Sequence, residues 1–169
     1  MPFEFATATR VVFGRGAFDD LAGRVSSLGD RAFVVTGSDP SRTGILDRLQ
    51  EADVAATTFR ITSEPSTEVA GEGVARAREA DCSVVVGLGG GSVLDGAKAV
   101  AALLTNGGEP LDYLEVIGAG RKIETPPAAF VAVPTTAGTG SEVTRNAVLS
   151  SPEHGVKAVS YTHLTLPTS

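Results

Sequence analysis

The stretch VVVGLGGGSVLDGAKAVA, from Val84 to Ala101, limits the fold more than any other part of the chain. An uninterrupted apolar run is followed by three consecutive glycines, Gly89, Gly90 and Gly91. Val93, Leu94, Ala97, Val100, Ala101 and Leu104 then recur at helical spacing. A short run that is apolar at every position reads as a strand covered on both faces, the setting of a parallel sheet. The stripe behind it predicts a helix with one buried face.

The same alternation fills the rest of the chain. TRVVFG, RAFVVTG, VAATTFRI, CSVVVGL and AAFVAVP read as strands. AFDDLAGRVSSLG, SRTGILDRLQEA, STEVAGEGVARAREA and SVLDGAKAVAALLT read as the helices between them. Gly71 and Gly73 weaken the third helix by roughly 1 kcal/mol each against Ala. GAGRKIETPPA reads as a polar connection with a Pro-Pro stop. Strands alternating with helices imply an α/β fold with a doubly wound, mostly parallel sheet in a single domain.

Composition narrows the partners. A net charge of -6 over 169 residues argues against nucleic acid or an anionic membrane as partner. The absence of Trp and an aromatic content of 5% argue against base-stacking platforms. No window reaches the ~18 uncharged apolar residues of a membrane span. MPFEFATATR lacks the basic and apolar regions of a signal peptide. Cys82 is the one cysteine and precedes a strand-like run, so a buried, inert thiol is expected, in keeping with a cytoplasmic protein.

The glycine turn is the first candidate site. The start of a helix carries unpaired N–H groups and a partial positive charge, which suits a phosphate. Gly90 and Gly91 would let that phosphate approach bare backbone. Ser92 could cap the helix or offer its hydroxyl to the ligand. The fingerprint G-x-G-x-x-G fails because Ser92 stands where its last glycine belongs, and the P-loop fails because Lys98 falls one place late. A tight turn with no ligand is the plainer alternative. Asp95 and Lys98, three apart, read from spacing alone as a solvated surface pair, although Asp95 is only one turn from the glycines. VPTTAGTGSEVT follows the last strand, so it leaves the carboxyl edge where ligands bind in such sheets. Thr135, Thr136, Thr139, Ser141 and Thr144 crowd it with hydroxyls, while Thr139 and Glu142 also match a capping box that would start a helix.

GGGSVLDGAK and PTTAGTGSEVT, in this order and with this spacer, resemble the iron-containing alcohol dehydrogenases. FATATRVVFGRGAFDDLA and RNAVLSSPEHGVKA are similar to the same family, especially its maleylacetate reductase-like branch. The resemblance implies a Rossmann-like domain that binds NAD or NADP, joined in the complete protein to an all-helical domain that holds iron or zinc. It implies that Gly91 and Ser92 hold the pyrophosphate, that Asp95, Thr135 and Thr136 contact the cofactor, and that Lys157 reaches its ribose. Complete relatives transfer hydride between the nicotinamide and a small alcohol, aldehyde or ketone.

Two departures qualify this. Many members carry Asp after the second strand, whereas this chain reads VVTGSDPSR with Gly37 there. A carboxylate at that place binds a ribose 2′-OH and repels a 2′-phosphate. Gly37, followed by Ser38 and Arg42, therefore predicts that NADP is accepted, unless Asp39 replaces the lost carboxylate. The family's metal ligands, an Asp and three His, lie in the helical domain, and only His154 and His163 occur here, neither at a ligand position. His154 reads as a solvated turn residue.

Residues 1–158 are accordingly expected to form the dinucleotide-binding domain. The ending VSYTHLTLPTS, 159–169, reads as a non-native read-through tail, with a genuine closing strand as its alternative. The expected function is the cofactor half of a metal-dependent oxidoreductase, with no metal held by this chain, no turnover alone, and self-association through apolar surface left uncovered. The alternatives are a nucleotide-binding module without catalysis, or an enzyme like dehydroquinate synthase or glycerol dehydrogenase.

Overall fold

The structure, a computed structural model, describes residues 10–37, 39–115 and 117–161. Four parallel strands form the main sheet: β1 (Arg31–Thr36), β2 (Ala55–Arg60), β3 (Val84–Gly89) and β4 (Ala129–Pro134), in the spatial order β2-β1-β3-β4. The register sets Thr36 beside Leu88 and Gly89 beside Pro134, so the carboxyl ends lie along one edge.

Helices α1 (Leu21–Ser26), α2 (Ile45–Glu51), α3 (Thr67–Glu79) and α4 (Gly91–Asn106) cover the sheet. Side chains alternate along a strand, so β1 and β3 feed two cores. Ala32, Val34, Val84, Val86 and Leu88 pack with Val25, Ile45 and Leu49 on one face. Phe33, Val35 and Val85 pack with Val74, Ala97 and Val100 on the other. This is the doubly wound α/β arrangement that the alternating pattern predicts.

Gly73 shows how closely α3 meets α4. A Cβ there would stand 2.8 Å from Val100 Cγ2 and 3.3 Å from Phe59 Cε1, whereas one on Gly71 would find nothing nearer than 3.7 Å. Replacing Gly by Ala in a helix normally gains up to about 1 kcal/mol, but overpacking costs about 1–3 kcal/mol. Gly71→Ala is therefore expected to raise the melting temperature and Gly73→Ala to lower it. Thermal unfolding of the two variants checks this, and equal shifts in the same direction would contradict it.

Four local expectations are corrected. TRVVFG forms no strand over its described residues 10–14, and Val11, Val12 and Phe13 are exposed, Phe13 at 99%. The helix expected over AFDDLAGRVSSLG is confined to α1, with turns before it. The helix expected over SRTGILDRLQEA is split into a 3-10 turn, Pro40–Thr43, and α2 by Gly44, whose φ is +65°. The capping-box pattern at Thr139 starts no helix. The chain turns instead through Gly138 and Gly140, at φ +90° and +70°, conformations that favour glycine.

Beyond that turn the chain forms an antiparallel hairpin, β5 (Asn146–Ser151) and β6 (Val156–Tyr161). Ala147, Leu149 and Ala158 pack with Ala70, Ala99 and Leu114 in a third core. The expected domain boundary at 158/159 falls inside β6, whose Val159 pairs with Val148. The rest of the expected tail, 162–169, with His163, lies outside the described residues. Cys82 is 7% exposed, and burial pushes its thiol up, which keeps the reactive thiolate scarce.

Candidate functional site

The connections in the sheet identify one edge position. From β1 the chain moves outward to β2, then crosses back to β3 and on to β4, so the order reverses between β1 and β3. Ligands of open α/β sheets bind outside the carboxyl ends at such a reversal. The segments leaving the sheet there are Gly37 after β1, Gly90 and Gly91 after β3, and Thr135 and Thr136 after β4.

The turn after β3 makes a helix start without a side-chain cap. Gly90 is the N-cap, no side chain caps it, and the first turn of α4 has no acidic residue. Ser92 lies inside that first turn and is exposed, so it does not cap the helix as the sequence allowed. At sixteen residues, α4 presents a full helix dipole at this point.

The hydroxyl-bearing loop comes down on the same turn. Thr135 N donates to the Gly89 carbonyl at 2.9 Å and ties the loop to the end of β3. A Cβ on Gly90 would stand 3.1 Å from Thr136 Oγ1, and one on Gly91 3.2 Å from Ser141 Oγ and 3.4 Å from Thr139 Cβ. The gap between helix start and hydroxyls is thus one that any side chain at 90 or 91 would fill. Thr135, Thr136 and Thr139 are exposed and Ser141 is half-buried. Gly90, Gly91, Thr136, Thr139 and Ser141 thus meet in one polar cradle of backbone and hydroxyl groups at the helix start, with Thr139 Oγ1 also 3.4 Å from Glu142 Oε2.

Gly37 borders this cradle. A Cβ there would stand 3.1 Å from Val93 Cγ2, on the first turn of α4. Ser38 and the Arg42 side chain lie outside the described residues. Asp39 accepts a hydrogen bond from Ser41 N at 3.0 Å and so caps the 3-10 turn.

Asp95 and Lys98 are not the solvated pair that their spacing predicts. Their side chains are 13% and 1% exposed, 2.9 Å apart. Lys98 Nζ also donates to Thr144 Oγ1 at 3.1 Å and to the Asn146 carbonyl. Asp95 Oδ2 accepts from Val148 N at 3.3 Å, so its carboxylate is engaged by the hairpin. The hairpin explains the burial: β5 covers this face of α4. Burial pushes the Lys98 ammonium below its ordinary range, opposed by Asp95 and Glu142. Lys157 is exposed and pairs with Glu64 at 2.8 Å. His154 is exposed in the hairpin turn, its Nδ1 hydrogen-bonded to Ser151 Oγ at 2.9 Å.

Among the described residues, no three His, Cys, Asp or Glu side chains come together to hold a metal ion. No helix among them is long and apolar enough to cross a membrane.

Known proteins resemble the chain in sequence and in fold. The chain is 36% identical to long-chain-alcohol dehydrogenase 1 of Geobacillus thermodenitrificans over 85% of its own length and 39% of the relative's. The solved structure of a 1,3-propanediol oxidoreductase superposes with a TM-score of 0.84 at 32% identity, over 99% of this chain and 44% of that one. The sulfoacetaldehyde reductase of Bifidobacterium kashiwanohense, solved in complex with NAD+, superposes with a TM-score of 0.83 at 28% identity, over 99% and 45%. The chain thus spans about 40% of the length of the curated relatives it matches. The model of the iron-containing alcohol dehydrogenase family matches residues 8–169, and the chain belongs to that family.

Proposed function

We propose that this chain is the nicotinamide-dinucleotide-binding part of an alcohol dehydrogenase or carbonyl reductase. The observation that carries this reading is the convergence of an uncapped glycine helix start and a loop of hydroxyls at the strand-order reversal. The solved relative that holds NAD+ supports it. When bound, the dinucleotide supplies the hydride exchanged with a small alcohol, aldehyde or ketone in the complete protein.

The roles of the chain's own residues come from their chemistry. Backbone N–H groups of Gly91, Ser92 and Val93 would take the pyrophosphate oxygens, with the α4 dipole behind them. The hydroxyls of Ser92, Thr136, Thr139 and Ser141 would donate to the same oxygens or to ribose, with Thr135 beside them. Asp95 would act by holding the hairpin beside the site. Lys157 would have to leave Glu64 to reach a ribose, and their exposed pair is worth less than about 1 kcal/mol. A catalytic iron or zinc would take its ligands from elsewhere in the complete protein.

Gly37, in place of a carboxylate directly after β1, supports acceptance of NADP, because that position carries no charge to repel a 2′-phosphate. Titrating the protein with NAD and NADP under calorimetry tests both points. Both are expected to bind, with NADP no more than about tenfold weaker than NAD. A larger preference for NAD would contradict the NADP reading, and failure of both to bind would contradict the assignment of the site.

A further inference from the structure

We propose that Lys98 is a positioning residue that clamps the far end of the hydroxyl-bearing loop and the start of β5 onto α4, holding Thr136, Thr139 and Ser141 against the glycine turn. This rests on the reading of that cradle as the dinucleotide site.

An ammonium has three donors, and those of Lys98 are all directed. One goes to Asp95 on its own helix, one to Thr144 Oγ1 at the end of the loop, and one to the carbonyl of Asn146, the first residue of β5. The near end of the loop is tied separately, by Thr135 N to the Gly89 carbonyl. Between these ties the chain is exposed or half-buried and turns through two glycines with positive φ. Such a segment has little packing of its own to order it. Asp95 extends the clamp, since its second oxygen holds Val148 N, two residues further along β5.

An apolar side chain of similar length would fill the same space without the cost of burying a charge. It would lack direction: it could not hold a hydroxyl and a carbonyl from two different segments at once. The clamp is therefore better explained by placement of the loop than by stability.

The test compares the wild type with Lys98→Met, with Asp95→Asn/Lys98→Met, which buries no charge, and with Thr144→Val, which removes one partner at an exposed position. Amide hydrogen exchange is followed at Thr135, Val143, Thr144 and Val148 and at core residues Val34 and Val85. NADP and NAD affinities are measured alongside. In each variant the loop amides are expected to exchange about tenfold faster or more relative to any change at Val34 and Val85. In the two variants lacking Lys98, dinucleotide binding should weaken by about tenfold. Loop protection that stays as in the wild type, or falls only in step with the core, would overturn the clamp. Should the wild type bind no dinucleotide, the exchange data still decide the clamp, and the binding result counts against the site assignment alone.

Discussion

Asp95→Ala is expected to destabilise the fold by about 3–5 kcal/mol, because it leaves the Lys98 charge buried without its carboxylate. The comparison with the other ion pairs decides the size. Arg24–Asp20, Arg48–Asp19 and Lys157–Glu64 all keep one or both side chains well exposed, and pairs of that kind contribute about 0–1 kcal/mol. Lys98 is 1% exposed at its side chain and cannot recover hydration when Asp95 is removed. It can lose its proton instead, which places the cost nearer the lower figure, since burial already favours the neutral amine. The double variant Asp95→Asn/Lys98→Met should recover most of the loss by removing both charges. Chemical denaturation of wild type, single and double variants checks this. A single-variant loss below about 1 kcal/mol would mean that the pair is hydrated after all.

The same geometry sets the sign of the pH dependence. Lys98 has a folded-state pKa below its ordinary value of 10.5, so between the two values the unfolded chain binds more protons. Its contribution therefore makes stability rise with pH across that interval. Lys98→Met abolishes this contribution.

Gly91→Val is expected to weaken dinucleotide binding by about 100-fold or more while leaving the fold intact. A Cβ at 91 already stands 3.2 Å from Ser141 Oγ, and the two methyls of Val occupy the gap between the helix start and the hydroxyls. The fold survives because Gly91 is only half-buried at the first position of α4, where Val is a better helix former than Gly. A binding titration paired with thermal unfolding separates the two effects. Unchanged affinity in a folded variant would remove Gly91 from the site.

The central strands β1 and β3 are legible in the chain because their interiors are apolar and buried, whereas β2, AATTFR, is half polar at the sheet's edge. Val84, Val85 and Val86 are wholly buried, and such a run has few other places to go. The β3–α4 turn is legible for the same reason, with a helical stripe starting directly after three glycines. The N-terminal TRVVFG has the same local character, yet its described residues 10–14 pair with none of the described strands. The hairpin is harder to see, because RNAVLSSPEHGVKA reads more readily as one motif than as two runs joined by Pro-Glu-His-Gly. Ala147, Leu149 and Ser151 alternate inward, a period-2 signal that marks the strand. Without the hairpin the burial of Lys98 is hidden as well: spacing places Asp95 one turn away, but only β5 tells that both are covered. The cradle itself is legible as two motifs, and their contact, across about 45 residues of chain, is a product of the parallel β3–β4 register.

The central claim is that the amides at the start of α4 and the loop after β4 together hold a dinucleotide. Titration of 15N-labelled protein with NADP and with NAD, followed by amide chemical shifts, tests it most directly. The largest and saturable shifts are expected at Gly90, Gly91, Ser92 and Val93 and from Thr135 to Ser141, with β2 and α3 little affected. Saturable shifts centred elsewhere, or none at concentrations that saturate relatives of the family, would contradict the account.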